Sequence, residues 1–125
     1  MAHRRVVAAL GAALFGIAGS LTVAQPALAF PTCPYPYVCF YARAEENAPN
    51  NPIIGRFQSV TDGWQWLDGA YGADYVVNTR NDDVAHFHMT DGRTYCVENN
   101  SSRSFENDEP LRYVDGIRIS SNANC

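Results

Sequence analysis

Residues 33–41, Cys33-Pro34-Tyr35-Pro36-Tyr37-Val38-Cys39-Phe40-Tyr41, place two cysteines six positions apart around a pair of prolines. The prolines fix φ and hold the backbone extended or turned. The run that follows, Val38 to Tyr41, is β-branched and aromatic, which is typical of a strand. The stretch therefore predicts a disulfide-fastened strand at the start of an exported all-β domain.

Residues 1–29 are predicted to be a secretory signal peptide, with a positive start at Arg4, an apolar core and a small-x-small cleavage site at residues 27–29. An uncleaved membrane anchor is the alternative, because the apolar stretch is nearly long enough to span a bilayer. Glycines within the stretch and the cleavage site after it favour cleavage before Phe30. We therefore expect one secreted, extracellular domain, residues 30–125.

The four cysteines all follow this leader. An even count in a short exported chain implies two disulfides, whose connectivity the sequence leaves open. We expect Cys33–Cys39, which is a local pair, and Cys96–Cys125, which ties the last residue to a strand. Structural zinc is disfavoured, because the spacings are not CxxC and an oxidising compartment favours the disulfide.

The charge of the domain bears on its partners. All nine basic residues are arginines and two of them lie in the leader, so the domain carries seven arginines against thirteen acidic residues, a net charge of −6. An acidic domain repels phosphate backbones, so we expect no nucleic-acid partner. After cleavage of the leader we also expect no membrane association, and a monomer.

Short apolar runs alternate with turn residues at intervals of about ten positions, which is the pattern of an all-β sandwich. The Asp91-Gly92 pair between two such runs predicts a hairpin. Residues 99–102 and 106–110 are polar and are predicted to be loops. The predicted strands are 37–43, 53–60, 64–67, 74–78, 84–89, 93–98, 104–105 and 113–120.

The two halves of the domain show a weak internal repeat. The segment 38–41, which leads to Gly55, corresponds to the segment 85–88, which leads to Gly92. The segment 74–78 corresponds to the segment 115–119. Each half would form one four-stranded Greek key, and the two would pack face to face.

With these features in place, the chain resembles small secreted actinobacterial proteins of the metalloproteinase-inhibitor family, which share the βγ-crystallin fold. The resemblance is most specific at residues 33–41, 55–57 and 113–119. It implies a crystallin-like sandwich of two Greek keys and a peptidase inhibitor directed at extracellular metalloproteases. The alternative is a structural or calcium-binding crystallin-like module that inhibits nothing.

Two departures from the family pattern concern function. Asp115-Gly116 stands where the crystallin pattern has a serine pair, and the short second disulfide loop that carries the family's reactive bond is absent. The resemblance therefore supports the fold more strongly than the inhibitory function, since one fold hosts many functions.

If the domain is an inhibitor, we expect the protease to contact the loop of residues 44–53. This loop is the longest polar insertion and follows the first cysteine pair directly. Pro49 and Pro52 restrict the loop, which suits a substrate-like segment that is cut slowly. A surface connection without a partner is the alternative. The predicted contact residues are Glu45, Glu46, Asn47, Ala48, Pro49, Asn50 and Asn51.

His86 and His88 are two positions apart and would share one face of a strand. Asp82, Asp83 or Asp91 could add oxygen ligands for a metal. No third ligand stands at a diagnostic spacing. We therefore expect two half-exposed polar side chains and no metal.

Residues 99–104 fit the calcium signature of crystallin-like domains except at Arg103, where a cation would oppose the ion. Asp74 and Asp115 occupy equivalent places in the two halves and could supply carboxylates, but a calcium site needs several converging oxygens. We expect loop-capping turns, weak or no calcium binding, and no cofactor.

Trp64 and Trp66 would also share one face of a strand. Exposed, they would form a stacking platform for a sugar ring; buried, they would pack a corner of the core. A domain this small needs large aromatic side chains in its core, so we expect them to be buried.

No arrangement of residues predicts catalysis. The cysteines are assigned to disulfides, no Gly-x-Ser-x-Gly elbow is present, and the loop carboxylates lack apolar surroundings that would raise a pKa. We therefore predict that the protein is not an enzyme.

Overall fold

The computed structural model describes residues 32–45 and 50–125. In this part of the chain, eight strands form two four-stranded sheets in which every paired strand is antiparallel. The first sheet has the order β2-β1-β4-β7 and the second the order β3-β8-β5-β6. The strands are β1 Val38–Tyr41, β2 Ile53–Phe57, β3 Gln65–Trp66, β4 Tyr75–Asn78, β5 Val84–Met89, β6 Thr94–Val97, β7 Ser101–Ser104 and β8 Val114–Ser120. The predicted all-β class is confirmed, and the predicted leader lies outside the described residues.

The strand order makes the two halves equivalent. In each half the first strand pairs with the second and with the fourth, while the third strand joins the other half's sheet. The register also agrees with the predicted repeat, because Phe40 lies opposite Val76 and Phe87 lies opposite Ile117.

One part of the predicted repeat is wrong. Gly55 lies opposite Phe40 on β2, whereas the residue opposite Phe87 on β6 is Tyr95. Gly92 belongs instead to the predicted hairpin turn, where it has a φ of 83° and its N–H donates to the Met89 carbonyl at 2.8 Å. Gly92 therefore forms a turn, whereas Gly55 allows a close contact with Ala70.

The core lies between the two sheets and is centred on equivalent phenylalanines. Phe40 of β1 and Phe87 of β5 are fully buried and pack edge to face across the sandwich, with ring centroids 5.6 Å apart. Phe57 and Phe105 extend this contact on either side. Burying a side chain of this size contributes about 1.5–3 kcal/mol, so these rings hold the two sheets together.

Both predicted disulfides are present. Cys33–Cys39 joins the N-terminal segment to β1 with a Cα–Cα distance of 5.7 Å, and Cys96–Cys125 joins β6 to the last residue with a distance of 5.8 Å. The described part of the chain contains no free cysteine. It also contains no helix that is long and apolar enough to cross a membrane.

Three predicted boundaries are wrong. The strand predicted at 104–105 is β7, Ser101–Ser104, so it begins within the predicted loop 99–102; it is a half-exposed edge strand paired only with β4. Strand β2 ends at Phe57, and Val60 makes an isolated bridge to Ile119. The predicted loop after Phe105 contains a short 3-10 helix, Glu106–Asp108.

Candidate functional site

The loop that follows β1 is held at its base by Asn51. The Asn51 side chain is fully buried. Its Oδ1 accepts from the Arg43 N–H at 2.9 Å, and its Nδ2 donates to the carbonyls of Arg43 at 3.1 Å and Glu45 at 2.6 Å. One amide therefore connects the two ends of the loop by three hydrogen bonds.

This geometry divides the predicted contact residues. Glu45 and Asn50 are exposed, whereas Asn51 has no exposed surface and is removed from the contact set. Asn50 has a φ of 60°, a left-handed conformation that asparagine tolerates. Residues 46–49 lie outside the described part of the chain.

A groove with acidic residues lies beside the loop base, lined by Arg43, Ala44, Glu45, Asp74 and Glu106. Glu109 lies close to this groove, since it interacts with both Asp74 and Glu106. Burial raises the pKa of Glu109, and the neighbouring Asp74 and Glu106 carboxylates raise it further. The groove itself is lined by three acidic residues and one arginine, so its formal charge is negative.

A second cluster lies on the outer face of the second sheet. Ala85, Phe87 and Met89 of β5 point into the core, so His86 and His88 point outward as predicted. The His88 ring lies between two indoles, with ring centroids 5.3 Å from Trp64 and 5.2 Å from Trp66, both edge to face. The two tryptophans therefore share one face with His88.

The predicted burial of the tryptophan pair is wrong. Trp66 is 60% exposed, and Trp64 is half-buried. Trp66 lies opposite Gly116 and contacts the outward-pointing His88, so its side chain lies on the outer face of the sheet, away from the core. The core is filled by phenylalanines instead.

Gly116 and Asp115 position this aromatic cluster. Gly116 lies opposite both His88 and Trp66, and a Cβ at this position would lie 3.2 Å from the Trp66 ring. Glycine therefore provides the space that the indole occupies. The register of β8 shifts at Asp115, a β-bulge that re-aims this side chain toward β5. Its Oδ1 lies 2.5 Å from His88 Nδ1.

Arg118 and His86 complete the polar edge of the cluster. The Arg118 guanidinium lies 5.1 Å from the Trp64 ring centre, in cation–π range. His86 lies opposite Arg118 in the ladder. Burial lowers the pKa of His86, and the positive charge of Arg118 lowers it further, so His86 is neutral at neutral pH.

Two of the three carboxylates that the sequence offered as metal ligands, Asp83 and Asp91, form ion pairs with arginines. Asp83 pairs with Arg80, and Asp91 accepts from Arg112 Nε at 2.7 Å. The Arg112 hydrogen bond holds the pKa of Asp91 below its ordinary value. Among residues 32–45 and 50–125, no group of three His, Cys, Asp or Glu side chains is placed to hold a metal ion.

The segment with the calcium-like sequence forms a turn and β7. Asn100 has a φ of 48°, and the Ser102 hydroxyl accepts from the Tyr75 hydroxyl at 2.6 Å. Arg103 lies over the Tyr95 ring, 3.7 Å from its centre, and contacts Asp108 at 3.4 Å. The cation that interrupts the calcium signature thus packs against an aromatic ring and a carboxylate.

Comparisons with known proteins complete the description of the site. No protein-family model, no curated protein and no solved structure matches the chain.

Proposed function

We propose that this protein is an extracellular peptidase inhibitor-like binding protein that presents the loop after β1, residues 44–50, to a secreted peptidase. The resemblance noted in the sequence suggests a metallopeptidase. The observation that carries the proposal is the buried Asn51 amide, which fixes both ends of the loop. Fixing a loop before binding reduces the entropy lost on association, which is what a tight inhibitor requires.

The surroundings of the loop support the same assignment. Cys33–Cys39 fastens β1, the strand that leads into the loop. A stable complex buries about 800 Å² on each partner, more than a short loop supplies alone. The adjacent acidic groove, which includes Asp74 and Glu106, would extend the contact and favours a partner with a basic rim around its active site.

The test is an inhibition assay of the secreted domain against a panel of secreted metallo- and serine peptidases. In the loop variant, residues 46–50 are replaced by a Gly-Ser segment of equal length, and Asn51 is kept because it holds the loop base. A control variant replaces the exposed residues 121–124 in the same way and keeps Cys125.

We expect the parent and the control to inhibit at least one metallopeptidase, and the loop variant to lose inhibition at least tenfold while its circular dichroism is unchanged. Equal inhibition by the loop variant would contradict the assignment of the loop. A parent that inhibits no peptidase of the panel would contradict the function and leave the non-inhibitory module as the better proposal.

A further inference from the structure

We propose that the outer face of the second sheet, around Trp64, Trp66 and His88, binds a neutral polysaccharide chain. This aromatic face, as we call it, also includes Asp115 and Arg118. It is separate from the loop after β1, so the proposal does not depend on the proposed function.

The first observation is the exposure of Trp66. A small domain gains stability by burying tryptophan, and its large aromatic side chains are mostly inside. Here phenylalanines fill the core, and Trp66 remains 60% exposed on the sheet surface. The exposed indole offers an apolar surface against which the C–H-bearing face of a sugar ring can pack.

The second observation is that the indole is held in place. The Trp66 ring packs against Gly116, in space that a Cβ would crowd because it would lie 3.2 Å from the ring atoms. His88 packs edge to face against both indoles, and Asp115 binds His88 Nδ1 at 2.5 Å. Side chains fixed in this way lose little conformational entropy when a ligand arrives.

The third observation concerns the chemistry of the rim. The Asp115 carboxylate and the Arg118 guanidinium lie beside the rings and can accept from and donate to sugar hydroxyls. Their charges balance locally, while residues 30–125 as a whole carry a net charge of −6. An anionic polysaccharide would be repelled by the molecule, so a neutral one is favoured.

The shape of the surface indicates a chain rather than a single sugar. Small ligands bind in clefts that enclose about 70–90% of their surface, whereas the outer face of a sheet has no enclosing walls. An extended polymer can compensate by repeated contacts along its length.

A protein partner is less well supported, because a standard interface needs about 800 Å² per partner around an apolar core. The aromatic face offers one exposed indole and one half-buried one.

The experiment measures partitioning of the full secreted domain onto insoluble cellulose, chitin, xylan and starch, with depletion isotherms for each. Trp66→Phe keeps a smaller ring, and Trp66→Ala removes it. The control is Tyr35→Ala, because Tyr35 is 63% exposed and lies beside the Cys33–Cys39 disulfide of the first sheet.

We expect the parent and Tyr35→Ala to bind at least one polysaccharide equally, Trp66→Phe to bind more weakly, and Trp66→Ala to lose at least tenfold in affinity. The loop variant should bind as the parent does, which separates this site from the proposed inhibitory one. Retention of the parent on none of the four polymers would overturn the proposal. Retention of Trp66→Ala equal to that of the parent would also overturn it. So would a loss of affinity in Tyr35→Ala as large as that in Trp66→Ala, because it would indicate non-specific adsorption.

Discussion

At the scale of single residues, two buried polar side chains organise segments that have no regular sheet pairing. Asn51 joins the ends of the loop after β1, and Asp108 joins the 3-10 helix to β6 and to Arg112. No sequence pattern indicated either role, since asparagine in a polar loop ordinarily indicates a turn. The partners of both residues lie 4 to 13 positions away in the sequence, and the conformation of the chain between them brings each pair together.

Replacing Asn51 with alanine should lower the free energy of unfolding by about 2–4 kcal/mol, because three hydrogen bonds between this buried amide and backbone groups are lost. Urea unfolding of the variant measures this. Asn124→Ala, at an exposed position near the C-terminus, is the control and should change stability by less than about 0.5 kcal/mol. A similarly small change in Asn51→Ala would show that the loop base is not held by this amide.

Asp108 gives a pH-dependent expectation. Burial opposes its ionisation, but hydrogen bonds from Tyr95 and Arg112 and the charge of Arg103 outweigh burial and lower the pKa of Asp108 below its ordinary value of 3.8. A carboxyl with a lowered pKa contributes stability that is present above its unfolded pKa and is lost as pH falls through its folded pKa.

Asp108→Asn should therefore unfold more easily than the parent at pH 7, by about 2 kcal/mol, the value for hydrogen bonds to a charged group. The difference should shrink as pH falls below about 4, toward the lowered pKa. Chemical denaturation of both proteins between pH 2.5 and 7 measures it. Tyr95→Phe, which removes one donor to the same carboxylate, should also cost about 1.5–3 kcal/mol at pH 7. A difference that is independent of pH would contradict an ionised Asp108.

At the scale of strands, the sequence was most reliable for the central ones. Strands β1, β4, β5 and β8 have buried apolar residues on the core face, and their predicted positions and repeat register are confirmed. The edge strands β3 and β7 were harder to predict, because a strand at the edge of a sheet needs few apolar residues. The first two residues of serine-rich β7 were predicted to be a loop, and Trp66 of the two-residue β3 was predicted to be buried but is exposed.

The bulge at Asp115 could not be predicted from the sequence. Alternation along β8 would place Asp115 on the same face as Ile117 and Ile119, in the core. The register shift turns it outward to His88 instead. The aromatic face therefore depends on a backbone irregularity, whereas the loop after β1 was identified from its composition and length.

The edge strand β6 depends on the second disulfide. Cys96 and Cys125 are 29 positions apart, so removing both by substitution with alanine should lower the free energy of unfolding by about 3–4 kcal/mol through loop-closure entropy. Urea unfolding under non-reducing conditions measures the loss. The Gly-Ser control at residues 121–124 keeps the disulfide and should unfold like the parent. A loss below about 1 kcal/mol in the double alanine variant would show that the C-terminal segment is held by other contacts.

At the scale of the whole molecule, two equivalent halves form a sandwich with different surfaces on its two sheets. The loop after β1 belongs to the first sheet, and the aromatic face lies on the second. The fold class could be predicted from the alternating apolar runs. The sequence left three cysteine pairings open, and the pairing that we expected is the one present. The exposed surfaces could be predicted only in part, since exposure depends on which neighbouring strand happens to cover a side chain.

We propose that a peptidase contacts the loop of residues 44–50. Hydrogen–deuterium exchange of the domain, alone and with each metallopeptidase of the panel at equimolar concentration, tests it most directly. We expect loss of peptidase activity near a 1:1 ratio, with new protection in peptides covering residues 44–50 and none on β6. Full activity of every peptidase, or protection elsewhere with this loop exchanging as in the free domain, would contradict it.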